Sequence, residues 1–202
     1  MVGAAVLPPA GLPLFPLRVV LFPGGLLPLR IFETRYVDMV GRCMREGGEF
    51  GVLHIEAGGE TGTPPELAQV GTAARIIDFN RLEDGLLGLL CLGTRRFRLR
   101  ERSVQHDGLN VGEVEWLPVG DPVPLPAEHQ ALVPVLRGVL GEMGELAVHI
   151  KPDFGDAGWV ADRFAELLPL ERSAQQILLE MSDPLERLAL LAPLIETEPG
   201  DA

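Results

Sequence analysis

Short apolar runs separated by turn residues fill the first 117 positions of the chain. Val, Ile and Phe are common in these runs, and Pro23-Gly24-Gly25 separates the first two of them. The runs cover residues 18–22, 26–32, 50–55, 70–79, 86–92, 95–100 and 111–117. Runs of this length and spacing are typical of β-strands in a sheet that closes into a barrel or a sandwich.

A second pattern, with apolar residues three and four positions apart, predicts helices. It appears first over residues 33–46, before the Gly47-Gly48 pair, and then dominates the second half of the chain. The later candidates are residues 128–140, residues 159–168, a stripe of Leu170, Ala174, Ile177, Leu178 and Met181, and a last helix with Leu185, Leu188, Ala192 and Ile195 on its buried face. For that last helix, Asp183, Pro184 and Glu186 have the arrangement of a capping box.

Residues 118–126 separate the two patterns. This segment contains four prolines in nine residues, which is typical of a stiff linker. The sequence therefore predicts an α+β chain in three parts: a β-rich subdomain over residues 1–117, the Pro-rich linker over 118–126 and a helical subdomain over 127–202.

The apolar opening, LPLFPLRVVLFPGGLLPLRIF (residues 12–32), could belong to a signal peptide, a membrane anchor or buried strands. A signal peptide begins with basic residues, but the first basic residue here is Arg18. A membrane helix needs about 20 unbroken residues, and prolines at positions 13, 16, 23 and 28 interrupt this stretch. We therefore interpret the segment as strands in the core and expect no membrane association and a cytoplasmic location.

The chain has a formal net charge of −12, unevenly distributed. Residues 1–117 carry 12 Lys+Arg and 14 Asp+Glu, a net −2, whereas residues 118–202 carry 5 and 15, a net −10. So acidic a half repels phosphate backbones, which disfavours general nucleic-acid binding. The two cysteines, Cys43 and Cys91, have no CxxC spacing, so we expect neither a disulfide framework nor a cysteine-rich metal site.

Motifs that carry enzyme chemistry are missing from the sequence. The only lysine, Lys151, lies between Ile150 and Pro152, so there is no phosphate-binding P-loop. No serine lies in a GxSxG elbow, and no HExxH occurs. We therefore predict a protein that is not an enzyme, with no catalytic residue, no metal and no cofactor. Catalytic groups could still converge in space from scattered positions, and a hydrolase of that kind stays a third alternative.

Several segments in order resemble the N-terminal substrate-binding domain of the Lon protease family. They are LPLFPLRVVLFPGGLLPLRIFETRYVDMV, GVLHI, VGTAARI, GTRRFRLRE and WVADRFAELLPLERSAQQILLEMSDPLERLALL. The resemblance extends over about residues 12–196 and is greatest to the stand-alone bacterial members. It implies a β-rich, PUA-like pseudo-barrel followed by an α-helical bundle. It also implies that the chain binds unfolded or partly folded polypeptides, in connection with a protease system.

Two groups of polar residues are candidates for partner binding. The stretch TRRFRLRER places four arginines at alternate positions: Arg96, Arg98, Arg100 and Arg102. In a regular strand they would share one face, opposite Phe97 and Leu99. Such a ladder could contact an acidic peptide or RNA, or it could simply be solvated or docked on the acidic helical half. The second group is Arg30, Glu33, Arg35 and Tyr36, at the junction of strand and helix.

The sequence thus favours a non-catalytic polypeptide-binding protein, acting as an adaptor or a regulator of proteolysis. Such a protein should have an apolar surface at the cleft between barrel and bundle, or an open sheet edge for an extended client. The alternative is a small-ligand or nucleic-acid module on a PUA-like fold, which would need a continuous basic face around residues 95–102.

Overall fold

The computed structural model describes residues 11–58 and 65–196. In these two ranges the strands are β1 Leu12–Leu17, β2 Leu26–Ile31, β3 Phe50–Ala57, β4 Glu66–Leu67, β5 Val70–Arg81, β6 Leu87–Val104 and β7 Asn110–Trp116. The α-helices are α1 Thr34–Glu46, α2 Leu132–Glu142, α3 Ala157–Leu167, α4 Arg172–Glu180 and α5 Pro184–Glu196. Two 3₁₀ helices, Ala127–His129 and Gly144–His149, precede and follow α2. The predicted α+β class, with a β-rich part before the helices, is confirmed.

The strands form a mostly antiparallel sheet that closes on itself. Its order is β1-β7-β6-β5-β3-β4, and β1 also pairs with β3 in parallel, which joins the two sides. β2 lies beside the first part of β6. The enclosed core contains Phe15, Phe50 and Cys91, together with the buried face of α1, from which Tyr36 stacks on Phe15 with ring centroids 4.0 Å apart.

The first strand lies upstream of its predicted position. Residues 12–17 form β1, whereas residues 18–22, predicted as a strand, have no regular structure. A proline cannot donate a hydrogen bond to a neighbouring strand, but it is tolerated where a strand is paired on one side only. The prolines in residues 12–17 therefore do not prevent a strand there, and the prediction is wrong. Pro13 pairs only with Val111 of β7, and Pro16 pairs only with Leu53 of β3.

Another correction concerns β6, for which the sequence predicted two separate strands over residues 86–92 and 95–100. The structure has one strand of 18 residues. Gly93, which suggested a break, instead allows the turn at residues 22–25 to approach the strand. A Cβ at this position would overlap the carbonyl oxygen of Phe22, and the Gly93 N–H donates to Gly25 O at 2.8 Å.

The helices pack against the irregular segment that follows β1. Val20 and Phe22 share a core with Leu136 of α2, Phe164 of α3 and Leu188 of α5. Two residues that were predicted to lie on the apolar faces of their helices are exposed instead. Ile177 is 61% exposed and Leu185 is 40% exposed. Both residues lie on the outer sides of their helices.

The N-cap predicted for the last helix is confirmed. The Asp183 carboxylate accepts hydrogen bonds from the N–H groups of Leu185 at 2.8 Å and Glu186 at 3.4 Å. Such caps stabilise a helix by satisfying N–H groups that have no partner within the helix.

The Pro-rich segment after β7 is bonded to the start of α3. The Leu125 N–H donates to Gly155 O, and the Ala157 N–H donates to Val123 O at 2.7 Å. Strands precede this segment and helices follow it, but the division into separate subdomains over 1–117 and 127–202 stays a prediction. Residues 1–10, 59–64 and 197–202 of those ranges lie outside the described residues.

Candidate binding cleft

A cleft of about 260 Å³ lies where the helices meet the segment after β1. Most of the side chains that line it are apolar, and they come from both halves of the molecule. The apolar ones are Val19, Val20, Leu21, Leu26, Leu27, Leu140, Met143, Ile150 and Leu167. The polar ones are Arg163, Glu166, Arg172 and Gln175. The sequence predicted an apolar surface at this boundary, and the cleft provides one.

An ion pair on α3 forms the polar wall of the cleft. Arg163 Nη2 lies 3.0 Å from Glu166 Oε2, and the same nitrogen donates to Pro23 O at 2.7 Å. Glu166 Oε1 in turn accepts from the Phe22 N–H at 3.3 Å. Together these contacts hold the turn at residues 22–25 against α3, so the helix and the turn shape the cleft jointly.

The buried environment makes Glu166 easy to protonate. Removal from water raises the pKa of this carboxyl to about 7, against the opposing effects of Arg163 and of the Phe22 N–H. A Cβ at Gly25 would overlap Glu166 Oε1, so a larger residue there would displace the Glu166 side chain. The raised pKa makes Glu166 a weaker counter-charge for Arg163 than an exposed carboxylate would be.

One turn before Glu166, a second buried ion cluster joins the two halves. We call Arg96, Asp162 and Arg187 the Asp162 cluster. Arg187 Nη1 donates to Asp162 Oδ1, and Arg187 Nη2 donates to Met181 O at 2.7 Å. Arg96 Nη1, from β6, donates to Leu179 O and Met181 O, both at 2.7 Å. These bonds fix β6 to the connection between α4 and α5.

The predicted arginine ladder does not form one face. Strands β6 and β7 pair Arg98 with Glu115 but Arg102 with Gly112, and the register shifts between Leu99 and Glu101. Because Glu115 and Gly112 are three residues apart, Arg98 and Arg102 lie on opposite faces of the sheet. The prediction of a shared face is wrong, since a sequence pattern does not show where a bulge inserts an extra residue.

The arginines of this stretch have different surroundings. Arg96 donates to the carbonyls of Leu179 and Met181. Arg98 is half-buried, and the exposed Arg100 pairs with Glu115. None of the three lines the cleft. Their role in partner binding stays a prediction.

The second predicted group is likewise not part of the cleft. Arg35 pairs with Glu33 at 2.6 Å and donates to Gly108 O at 2.8 Å. Tyr36 is buried in the barrel core, and Arg30 pairs with Asp84 at the exposed end of β2. These contacts give each side chain a structural role, and a binding role for them stays a prediction.

Sequence reasoning missed Arg163 and Glu166. The only available signal was that α3 carries three ionisable residues, Asp162, Arg163 and Glu166, within one otherwise apolar stretch. Of these, Arg163 is 2% exposed. Charged side chains are rarely buried unless they are paired, but burial is a tertiary property that the local pattern does not reveal.

Two findings concern metal sites and membrane-spanning helices among the described residues. In residues 11–58 and 65–196, no group of three or more His, Cys, Asp or Glu side chains is arranged to hold a metal ion. No helix in the same ranges has both the length and the apolar character needed to cross a bilayer.

The chain matches a known family over nearly its whole length. Residues 11–197 match the family described as ATP-dependent protease La (LON) substrate-binding domain. The chain therefore belongs to this family, as the sequence motifs indicated.

Similar proteins include full-length proteases. The chain is 31% identical over 201 residues to the Lon protease of Trichlorobacter lovleyi, covering 94% of this chain and 24% of that protein. It is 30% identical to the Lon protease of Treponema pallidum, covering 88% of this chain and 21% of that protein. The chain thus spans about a quarter of the length of these relatives, and only the substrate-binding region is matched.

Solved structures show the same fold. The crystal structure of a Lon N-terminal domain protein from Xanthomonas campestris is 41% identical, with a TM-score of 0.72, and the match covers 93% of this chain and 98% of that one. The N-terminal domain of a Mycobacterium avium complex Lon protease is 18% identical, with a TM-score of 0.63 and coverage of 93% and 99%. The second likeness supports the fold alone.

Proposed function

We propose that this domain binds segments of non-native polypeptide, without covalent chemistry, in the cleft between the barrel and the helices. The observation that carries the proposal is the cleft itself. Most of its lining is apolar, it opens at the boundary between the two halves, and it has room for a side chain rather than a large ligand. Membership of the substrate-binding family supports the same conclusion.

The affinity expected from this cleft is weak and poorly sequence-specific. Full burial of one large apolar side chain stabilises a complex by about 1.5–3 kcal/mol. Ordering a flexible chain opposes that gain. Because the attraction is mainly apolar, binding should survive high salt, whereas contacts with phosphates weaken steeply as salt increases.

In its biological role the protein would act as an adaptor or a regulator of a protease system in the cytoplasm, with no catalytic step of its own. The support is that the match covers the substrate-binding region of Lon proteases. On this account the domain presents polypeptide segments and other parts of the system cleave them.

The proposal is tested by measuring binding of a reduced, unfolded test polypeptide and of single-stranded RNA across a salt series. Met143→Glu places a charge in the cleft, and we expect it to weaken polypeptide binding. Val148→Glu is the matched control. Val148 is 81% exposed and does not line the cleft, so the same charge there should leave binding unchanged.

Salt-resistant polypeptide binding that Met143→Glu reduces and Val148→Glu does not would support the cleft. Equal effects of the two variants, or no polypeptide binding, would contradict it. RNA binding that falls steeply with salt and disappears in Arg98→Glu would favour the nucleic-acid alternative instead.

A further inference from the structure

Arg163 is buried in the wall of the cleft with part of its hydrogen-bonding capacity unused. Its side chain is 2% exposed, and Nη2 makes both of its described polar contacts, with Glu166 and Pro23 O. Within the described residues, Nε and Nη1 have no hydrogen-bond partner. Leaving a buried donor unpaired costs about 1–3 kcal/mol, and more for a charged group. Because Arg163 also lines the cleft, its unpaired donors favour an anionic ligand there.

The surrounding carboxylates do not fully neutralise this guanidinium. Burial raises the pKa of Glu166 to about 7, so this carboxyl holds a proton more readily than an exposed one does. The other nearby carboxylate, Asp162, is hydrogen-bonded to Arg187. Arg163 is thus a buried cation beside one carboxyl of raised pKa and another that is bonded to a different arginine.

Two neighbours approach the Arg163 guanidinium: the Gly24 main chain, and the Trp159 ring, whose centroid lies 5.9 Å from Cζ. Gly24 has φ +75°, and a Cβ built there would be 3.5 Å from Nη1. A second cation lies on the same cleft, since Arg172 lines it and donates from Nη1 to Gln175 Oε1 at 2.6 Å. The polar side of the cleft is therefore predominantly cationic, opposite an apolar floor.

From these contacts we infer that the cleft selects a carboxylate lying beside a large apolar side chain, with the carboxylate hydrogen-bonded to Arg163. This inference rests on the proposed function and names its ligand class. A volume of about 260 Å³ lies just below the roughly 300–1,000 Å³ of pockets for drug-sized ligands. It suits a single residue with its carboxylate. Two sources supply that chemistry in a polypeptide: a free C-terminus, or an Asp or Glu next to an apolar residue.

The direct test uses the wild-type protein and labelled peptides that differ in one group. The first peptide ends in Leu with a free carboxylate and the second has the same sequence with a C-terminal amide. The third is amidated and has Asp before the Leu, and the fourth is amidated and has Asn there. Fluorescence anisotropy gives the four dissociation constants. A charge-assisted hydrogen bond should make the acid bind about tenfold more tightly than its amide.

The peptide pairs distinguish a C-terminal carboxylate from a side-chain carboxylate. They also test the carboxylate inference separately from the proposed function. A gain confined to the first pair assigns a C-terminal carboxylate, and a gain confined to the Asp–Asn pair assigns a side chain. Equal binding within both pairs would overturn the carboxylate inference and leave apolar capture intact. Absence of binding by all four peptides would overturn the proposed function and this inference together.

Variants then connect the preference to Arg163. Glu166→Gln keeps the size and the acceptor for the Phe22 N–H but removes the competing charge, so the ratio of acid to amide affinity should rise about threefold or more. Arg163→Lys should abolish the preference, provided circular dichroism shows that it folds. Arg137→Gln, at an exposed arginine outside the cleft, is the control and should leave the ratio unchanged. An unchanged ratio in Glu166→Gln would contradict the role of Arg163.

Discussion

Helix α3 carries two carboxylates one turn apart, Asp162 and Glu166, and they connect the helices to the barrel in different ways. Asp162 pairs with Arg187 of α5 beside Arg96 of β6, and both arginines also bond to the Met181 carbonyl. Glu166 pairs with its own helix neighbour Arg163, and the pair meets the turn at residues 22–25 and an open cleft.

The comparison shows that two buried carboxylates on one helix can have different roles. One is held by many hydrogen bonds, and the other belongs to a pair with unused hydrogen-bonding capacity. In the Asp162 cluster, each arginine donates two hydrogen bonds, and these bonds join β6, α3, α4 and α5. At the cleft, one nitrogen of Arg163 makes both described bonds, and the carboxylate has a pKa of about 7. We therefore expect the Asp162 cluster to determine stability and the Arg163–Glu166 pair to determine binding.

The largest effect is expected from Asp162→Asn, which leaves the buried Arg187 without its counter-charge. Removing one partner of a buried ion pair typically costs about 3–5 kcal/mol. Urea denaturation measures the loss. Asp121→Asn, at an exposed position in the Pro-rich segment, is the control and should change little. Equal stability of the two variants would contradict the structural role of the Asp162 cluster.

The next effect is a pH dependence of stability. Burial raises the pKa of Glu166 from 4.5 to about 7, so the native state holds its proton more tightly than the unfolded state. Stability should therefore fall as pH rises between about 4.5 and 7 by about 2–3 kcal/mol, after allowance for partial exposure.

The comparison with Glu166→Gln isolates this effect, because the variant cannot titrate at that position. Burial lowers the pKa of His54, which acts in the opposite sense over part of the same range, but it does so equally in both proteins. Urea midpoints at pH 5 and pH 8 should differ more in the wild type than in the variant. The same pH dependence in both would show that Glu166 is not the titrating group.

Gly25→Ala tests the contact between the turn and Glu166. The added Cβ would overlap Glu166 Oε1 and lie 3.0 Å from Phe22 O, so the side chain must move away. Overpacking of this kind costs about 1–3 kcal/mol. Gly120→Ala provides the control, since a Cβ there meets no atom within 4 Å. Thermal unfolding of both variants gives the comparison, and similar transition temperatures would argue against close packing at the turn.

The smallest effect is expected from Arg100→Gln. Arg100 and Glu115 form an exposed pair, with side chains 58% and 51% exposed. Exposed pairs contribute about 0–1 kcal/mol, and salt screens them. Urea denaturation at low and high salt should show a small loss that diminishes as salt increases. A loss of stability as large as that of Asp162→Asn would contradict the expectation that buried ion pairs stabilise this protein more than exposed ones.

Local signals in the sequence predicted the elements that depend on local chemistry. Residues 33–46 gave α1 through their apolar spacing, and Asp183 gave the start of α5 through its capping chemistry. The position of β1 was missed because the tolerance for Pro13 and Pro16 depends on which strand lies on each side. Strand register is set by pairing between distant residues, so local composition does not contain it.

The sequence offered the cleft as one of two possible binding surfaces, beside an open sheet edge, and did not point to its polar residues. The change of pattern near residue 118 placed a cleft between strands and helices, whereas Arg163 and Glu166 look like ordinary polar positions of an amphipathic helix. Their burial follows from contact with Phe22 and Pro23, about 140 residues away in sequence. The arginine stretch failed as a single face for a related reason, since the bulge near Arg100 is a property of the pairing with β7.

The most direct test of the account is to map a bound unfolded peptide on the protein by two-dimensional ¹H–¹⁵N NMR, which is practical at 21.9 kDa. The account predicts that the amide shifts change most at the residues that line the cleft, within residues 19–27, 140–150 and 163–167. Changes concentrated instead in residues 95–102, with the cleft amides unaffected, would contradict the central claim that the cleft binds polypeptide.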